Sequence, residues 1–401
     1  MPAPVPELPL ARLRTAPLDP PPEYLHFRAA SPITRVTIWD GKLSAWLVTR
    51  WEDARAVLAS RAFSADVSHP GFPRIRDGVP LAPNGFLQHH DPPVHTRMRH
   101  AVTAEFMDKP IKALRPSITR IATDLIDEMT RLEDKAPVDL VEHFALPLPS
   151  RVIFEFLGVP YEDQAFMQAQ SNTFIELGST PDQLAFALET LHHYFLELLA
   201  AKRQRPGDDT VTRLGAQVDT RTLTAKDAAD LACLILFTGY ETTASMIALS
   251  VIALLQNPSQ IPRLLARSDK KSNSVDELLR YLSIFHAGQR RYALEDVTIG
   301  GVTIRAGEGV IIPLAVANRD PEVFTDPDHL DLRRGNARRH VAFGHGIHVC
   351  LGKPLARAEL QIALPLLFRR LPNLKIAVPL EEVSFKLNTL SYGVHELPIT
   401  W

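Results

Sequence analysis

Residues 343–352 read Phe343-Gly344-His345-Gly346-Ile347-His348-Val349-Cys350-Leu351-Gly352. Three glycines loosen this stretch, and it carries one of the only two cysteines in the chain. The apolar spacing of residues 353–370 is helical, so the thiol stands just before a helix N-terminus. A thiolate, not a thiol, is the metal ligand, and a helix N-terminus lowers a cysteine's pKa. Backbone N–H groups around Leu351 and Gly352 are placed to donate to the sulfur. Gly344, Gly346 and Gly352 remove side chains where backbone has to approach a flat macrocycle. The loop therefore points to Cys350 as the axial thiolate of a haem iron, with an inert core cysteine as the plainer alternative. His345, His348 and Cys350 also allow a metal cluster, although three ligands fall short of the usual four-ligand zinc site.

The 401 residues are 45% hydrophobic, enough for a sizeable core. Lys and Arg number 44 against 46 Asp and Glu, so no charge asymmetry points to nucleic acid. Two cysteines far apart, Cys233 and Cys350, build no disulfide framework and fit a reducing compartment. Residues 1–24 lack the apolar core of a signal peptide. Residues 231–255 are long and apolar enough to raise a membrane span, but Glu241, Thr242 and Thr243 sit in the middle, where charge is costly in lipid. The expectation is a buried helix in a cytoplasmic, monomeric protein without a membrane anchor.

Along the chain, the Pro-rich residues 1–22 are expected to wrap the surface. Residues 34–39 and 44–49 flank Asp40-Gly41 as a hairpin, and residues 297–304 form another around Gly300-Gly301. Residues 66–91 show no periodicity and read as a long functional loop. Helical spacing covers residues 92–132, punctuated by Pro110 and Pro116, then 144–157, 162–177 and 181–203. Thr224-Ala-Lys-Asp opens a helix of some thirty residues that stops before Asn257-Pro258. Residues 275–281 form a short helix. Helices dominate, and strands cluster near both ends and around residue 300.

Four further constellations carry chemistry. Within the long helix, Thr238-Gly239-Tyr240-Glu241-Thr242-Thr243 places an acid and hydroxyls in an apolar run, which is expensive unless they are hydrogen-bonded. Gly239 adds about 1 kcal/mol of helix cost relative to Ala. Together they predict a local distortion that opens a groove and a proton path. Glu277 and Arg280 stand at i, i+3; most such pairs are ordinary surface ion pairs. His95 and Arg99 stand at i, i+4 and stack on one helix face. Lys353, Arg357 and Arg97 add positive charge around the cysteine loop.

Phe-Gly-x-Gly-x-x-x-Cys-x-Gly resembles the haem-binding signature of cytochrome P-450, and the other constellations match that family from about residue 90 onward. The resemblance implies one mainly helical domain over residues 1–401, a triangular prism with small β-sheets and haem b between the long central helix and the cysteine-loop helix. It implies Cys350 as the iron ligand, with Phe343, Gly344, Gly352 and Gly239 against the cofactor. Its propionates fall to His95, Arg99, Arg291 and His348. Glu241 and Thr242 take the family's acid–alcohol roles in delivering protons to dioxygen. Thr238 departs from the small residue usual there. Glu277 and Arg280 become the family's structural Glu-x-x-Arg element, with Arg334 or Arg319 as a third partner.

The activity so implied is a monooxygenase that inserts one oxygen atom of O2 into a hydrophobic small molecule. Natural products (macrolides, other polyketides or terpenoids), steroids and xenobiotics are the expected substrates. The tail Tyr392-Gly-Val-His-Glu-Leu-Pro and the Gly71-Phe-Pro loop look like soluble actinobacterial members, which draw electrons from a ferredoxin and its NAD(P)H-dependent reductase. Lys353, Arg357 and Arg97 are then a docking patch for that ferredoxin. Substrate contacts are expected from Phe86, Leu87, Phe174, Leu236, Phe237, Thr238, Phe285, Leu390 and Tyr392. Two alternatives stay open: a nitric oxide reductase of the same fold, fed directly by NADH, and a non-catalytic haem sensor or carrier.

Overall fold

The computed structural model describes residues 5–38, 41, 43–74, 86–132, 137–176, 178–266, 271–387, 389 and 391–401. Helices dominate and three small sheets accompany them, as expected. The first hairpin pairs Ile33–Thr37 with Ser44–Val48 in antiparallel register, Ile33 opposite Val48. It continues into a five-stranded sheet through Gly309–Ile312, Gln289–Ala293 and Phe63–Ser64. The second hairpin pairs Val297–Ile299 with Val302–Ile304. The chain ends in a strand, Pro398–Thr400, between Val138–Asp139 and Lys375–Ile376.

Where the helices differ from the expected spans, packing or capping explains it. Pro116 lies inside the helix Asp108–Thr130, although a proline there removes a hydrogen bond. Ile111, Ile118, Ile121 and Leu125 bury one continuous face across it, and that burial outweighs the local cost. The helix Thr210–Asp219 was not expected; its signal is the Asp209 cap, whose carboxylate accepts from the Thr212 N–H at 2.8 Å. The Pro-rich start does more than wrap the surface. Arg12 reaches inward, and its guanidinium lies 3.8 Å from the centre of the Tyr392 ring.

The long apolar run forms two helices in series, Ala225–Gly239 and Glu241–Gln256. Thr224 caps the first by accepting from the Asp227 N–H at 3.0 Å, as its spacing predicts. Ala225–Gln256 is long and apolar enough to cross a membrane, but 83% of its most apolar window is buried inside the protein. The last helix runs Lys353–Arg370 and packs against both Asp108–Thr130 and Glu241–Gln256.

The Glu277–Arg280 pair is not a surface ion pair. Both side chains are completely buried, with Arg280 Nε and Nη2 donating to the two Glu277 oxygens at 2.7 and 2.9 Å. Arg334 is the third partner, donating from Nε to Glu277 Oε1 at 3.0 Å. Arg319 instead pairs with Asp19 and Asp328 and lies over Tyr281. Arg280 and Arg334 both donate to the His329 carbonyl, and Arg280 also to those of Asn318 and Pro327. Asn318 Oδ1 then accepts from the Val341 N–H at 2.7 Å, two residues before the cysteine loop begins. Sequence spacing on one helix turn thus fixes the meander, and the meander fixes the loop.

Candidate active site

The cysteine loop, the helix break at Tyr240 and the strand Gln289–Ala293 meet on one cavity of about 500 Å³. Cys350 opens onto it at the N-terminus of Lys353–Arg370. The Cys350 N–H donates to the Phe343 carbonyl at 2.9 Å, which closes the loop. The sulfur accepts from the backbone N–H groups of Gly352 and Lys353, one residue further along than Leu351 and Gly352. Burial pushes the thiol pKa up, while those two amides, Arg99 and Lys353 pull it down. A bound cation displaces the proton outright.

Two glycines owe their places to neighbouring protein. Gly344 and Gly346 both sit at positive φ, 73° and 74°. A Cβ on Gly346 would lie 2.4 Å from the Leu58 carbonyl, so this glycine serves the close approach of the loop to the helix Trp51–Ala59. A Cβ on Gly352 would meet Cys350 Sγ at 3.9 Å, an ordinary contact. Gly239 lines the cavity, but a Cβ on it would meet Ile153 at 2.5 Å. It is small first of all to let the helix Pro147–Leu157 pack there.

At the break the helical hydrogen bonding lapses around Tyr240, whose φ and ψ are −118° and −46°. Side chains repair it. Thr242 Oγ1 donates to the Thr238 carbonyl at 3.1 Å, and Thr238 Oγ1 to that of Leu234 at 2.8 Å. Both threonines and Glu241 line the cavity. Glu241 is buried, and its Oε1 accepts from Lys386 Nζ at 2.6 Å. Lys386 comes from the C-terminal tail, about 145 residues away in sequence, and no local pattern announced it.

Below the break lies a second acid that the sequence did not single out. Glu359 is 1% exposed, lines the cavity, and is pushed up to about 8 by burial, with the Thr243 hydroxyl pulling the other way. It is therefore protonated in the folded protein at neutral pH and ionised when unfolded. Between its ordinary value of 4.5 and about 8 the folded state holds the extra proton, so stability falls as pH rises through that window. Glu359→Gln is expected to flatten this fall, whose limiting slope is about 1.4 kcal/mol per pH unit. Denaturant titrations of both proteins across the window check it; an unchanged slope in the variant contradicts the assignment.

The expected propionate partners do converge. The His95 and His348 rings are 4.2 Å apart. Both His95 nitrogens and His348 Nδ1 are buried without a hydrogen-bond partner. Burial, then Arg99, pushes His95 down to about 4; burial, then Arg291, pushes His348 down to about 2. Arg291 is 4% exposed and pushed down to about 10 by burial. Neutral imidazoles beside Arg99 and Arg291 form a set of orphaned donors suited to two carboxylates. The chain thus fits haem on two independent counts, the thiol and these donors. Zinc is not supported: no cluster of three metal-ligating side chains occurs among the described residues.

The cavity wall takes up only some of the expected substrate contacts. Phe86, Leu87, Phe237, Thr238 and Phe285 line the cavity. Leu236 does not; it is wholly buried on another side of its helix. Tyr392 is also core, stacked on Phe385 and covered by Arg12, while its neighbour Ser391 lines the cavity instead. The Phe174 side chain and Leu390 lie outside the described residues. Of the basic patch, Arg97 is held by Asp227 at 2.8 Å and Arg357 by Asp276 at 2.8 Å, so two of its three members already have anionic partners.

A cysteine thiol at a helix N-terminus, orphaned donors for two carboxylates and an acid–hydroxyl break on one apolar cavity define a haem-thiolate oxygenase. The family model described as Cytochrome P450 matches residues 29–211 and 272–399. "Cytochrome P450-SU2" of Streptomyces griseolus is 48% identical over 98% of this chain and 96% of its own length. The "20-oxo-5-O-mycaminosyltylactone 23-monooxygenase" of Streptomyces fradiae is 41% identical, covering 97% of this chain and 91% of its own. Among solved structures, the crystal structure of GfsF is 44% identical with a TM-score of 0.90, over 99% of this chain and 100% of that one. The chain belongs to the cytochrome P450 family; it is a monooxygenase, and its cofactor is haem b.

Proposed function

We propose that Cys350 is the axial ligand, that His95, Arg99, Arg291 and His348 hold the propionates, and that Glu241 and Thr242 deliver protons during oxidation of a hydrophobic natural product, steroid or xenobiotic. The observation that carries this is the single cavity shared by the Cys350 thiol and the Glu241–Thr242 break. When bound, haem supplies reductive activation of dioxygen and transfer of one oxygen atom, helped by electron donation from the thiolate. The chain supplies the rest. Phe86, Leu87, Phe237 and Phe285 bind apolar substrate and exclude water. Thr242 Oγ1, anchored through its own hydrogen to the Thr238 carbonyl, keeps its oxygen free to accept. Glu241, next to it in the chain and held by Lys386, relays protons drawn from solvent toward it.

Electrons come, on this reading, from a ferredoxin and its NAD(P)H-dependent reductase, in a cytoplasmic protein folded as one domain. The exposed part of Arg97 and the Lys353 ammonium near Phe343 supply positive charge on the cysteine side. Thr242→Ala is the test. Product formed per NAD(P)H consumed is expected to fall by about 10²-fold, with peroxide rising to match. A compound that shifts the iron's spin state and is turned over by wild type serves as substrate. Unchanged coupling removes Thr242 from proton delivery.

A further inference from the structure

Haem propionates do not use every polar group on the cavity wall. Arg74, Arg290, Gln88 and His89 also line it. Gln88 Oε1 and His89 Nδ1 are buried without a hydrogen-bond partner. His89 lies close enough to Arg290 for that guanidinium to be its nearest charged influence. Arg74 Nε is engaged with the Val67 carbonyl at 3.0 Å. Among the described residues no carboxylate pairs with Arg290; the charge it feels is that of Arg291. Arg290 is half-buried on the cavity wall, and that burial pushes its pKa down to about 9.

Strand geometry separates the two adjacent arginines. Along Gln289–Ala293, Arg291 and Ala293 share the buried face, so Arg290 and Tyr292 share the other. Tyr292 marks where that face looks: the His69 ring stacks on it at 4.2 Å and 2°, and the backbone at Gly71 crosses beside it. Arg290 therefore points toward the loop over residues 69–74, while Arg291 points into the cluster with His95 and His348. A half-buried cation that no described carboxylate pairs, beside buried polar atoms without partners, is completed by an anionic ligand.

We propose that Arg290, with Gln88 and His89 beside it, is a specificity site that binds a carboxylate or similarly charged group of the substrate. The favoured substrates are thus apolar molecules carrying one acidic group, not neutral hydrocarbons alone. The inference rests on the reading of the cavity as the substrate chamber, which the apolar lining carries independently.

The test uses lauric acid and its methyl ester as matched probes. Dissociation constants are measured by spectral titration and calorimetry on haem-loaded wild type, Arg290→Gln and Arg290→Lys at a pH where the acid is ionised. Wild type is expected to bind the acid at least about tenfold more tightly than the ester. R290Q should lose that preference and R290K regain part of it, with ester affinity and haem content unchanged. Equal binding of acid and ester by wild type overturns the carboxylate site and leaves the chamber standing. A fall in haem retention by R290Q, with acid and ester weakened alike, overturns it in favour of a third propionate contact. If neither compound binds wild type, the carboxylate site and the chamber reading both fall.

Discussion

Replacing Cys350 by Ala is expected to abolish the red-shifted carbon monoxide band of the reduced protein and all monooxygenase turnover. The band reports a thiolate on the iron, and Cys350 is the described cysteine that faces the cavity. The surroundings explain why this thiol and not the other is suited. Two backbone amides at a helix start, with Arg99 and Lys353 nearby, stabilise negative charge on its sulfur. Cys233 is 2% exposed within the apolar helix, and burial holds its thiol well above the ordinary range. Cys233→Ala should therefore leave the band intact and cost about 1 kcal/mol of stability. A surviving band in the Cys350 variant, or its loss in the Cys233 variant, contradicts the assignment.

The second large effect lies outside the cavity. Arg280→Ala is expected to lose about 3–5 kcal/mol, because it strands the Glu277 carboxylate in a fully buried site. It also removes the donors to the Asn318, Pro327 and His329 carbonyls. Those bonds tie the meander together, and Asn318 tethers Val341 just before the cysteine loop. Haem retention should fall along with the denaturation midpoint. Arg334→Ala should cost less, since Arg280 still pairs both Glu277 oxygens in that variant. Equal, small losses for both variants, within the range of surface substitutions, contradict a buried cluster that positions the loop.

The cysteine loop, the Glu241–Thr242 break and Glu277–Arg280–Arg334 were legible because each is a short pattern whose partners are fixed by helix spacing or by resemblance. Lys386, Glu359 and Arg12 were not. The groups they act on or lie near, Glu241, Thr243 and Tyr392, are distant in sequence, and a lone charged residue carries no local mark of burial. Leu236 and Tyr392 were misplaced for a related reason: in an element buried all round, apolar periodicity does not say which side meets a cavity and which meets core. The glycines show the converse. Gly346 and Gly239 were assigned to haem, yet what first forces them to be glycine is the Leu58 carbonyl and Ile153.

The Cys350 cavity is expected to insert one atom of dioxygen into an apolar substrate. Turnover of a spin-shifting ligand under isotopically heavy dioxygen, in ordinary water, tests it most directly. A product carrying a single heavy oxygen atom, formed by wild type and absent with Cys350→Ala, is the predicted result. Product without heavy oxygen, or reducing equivalents consumed with no oxidised product at all, would contradict it.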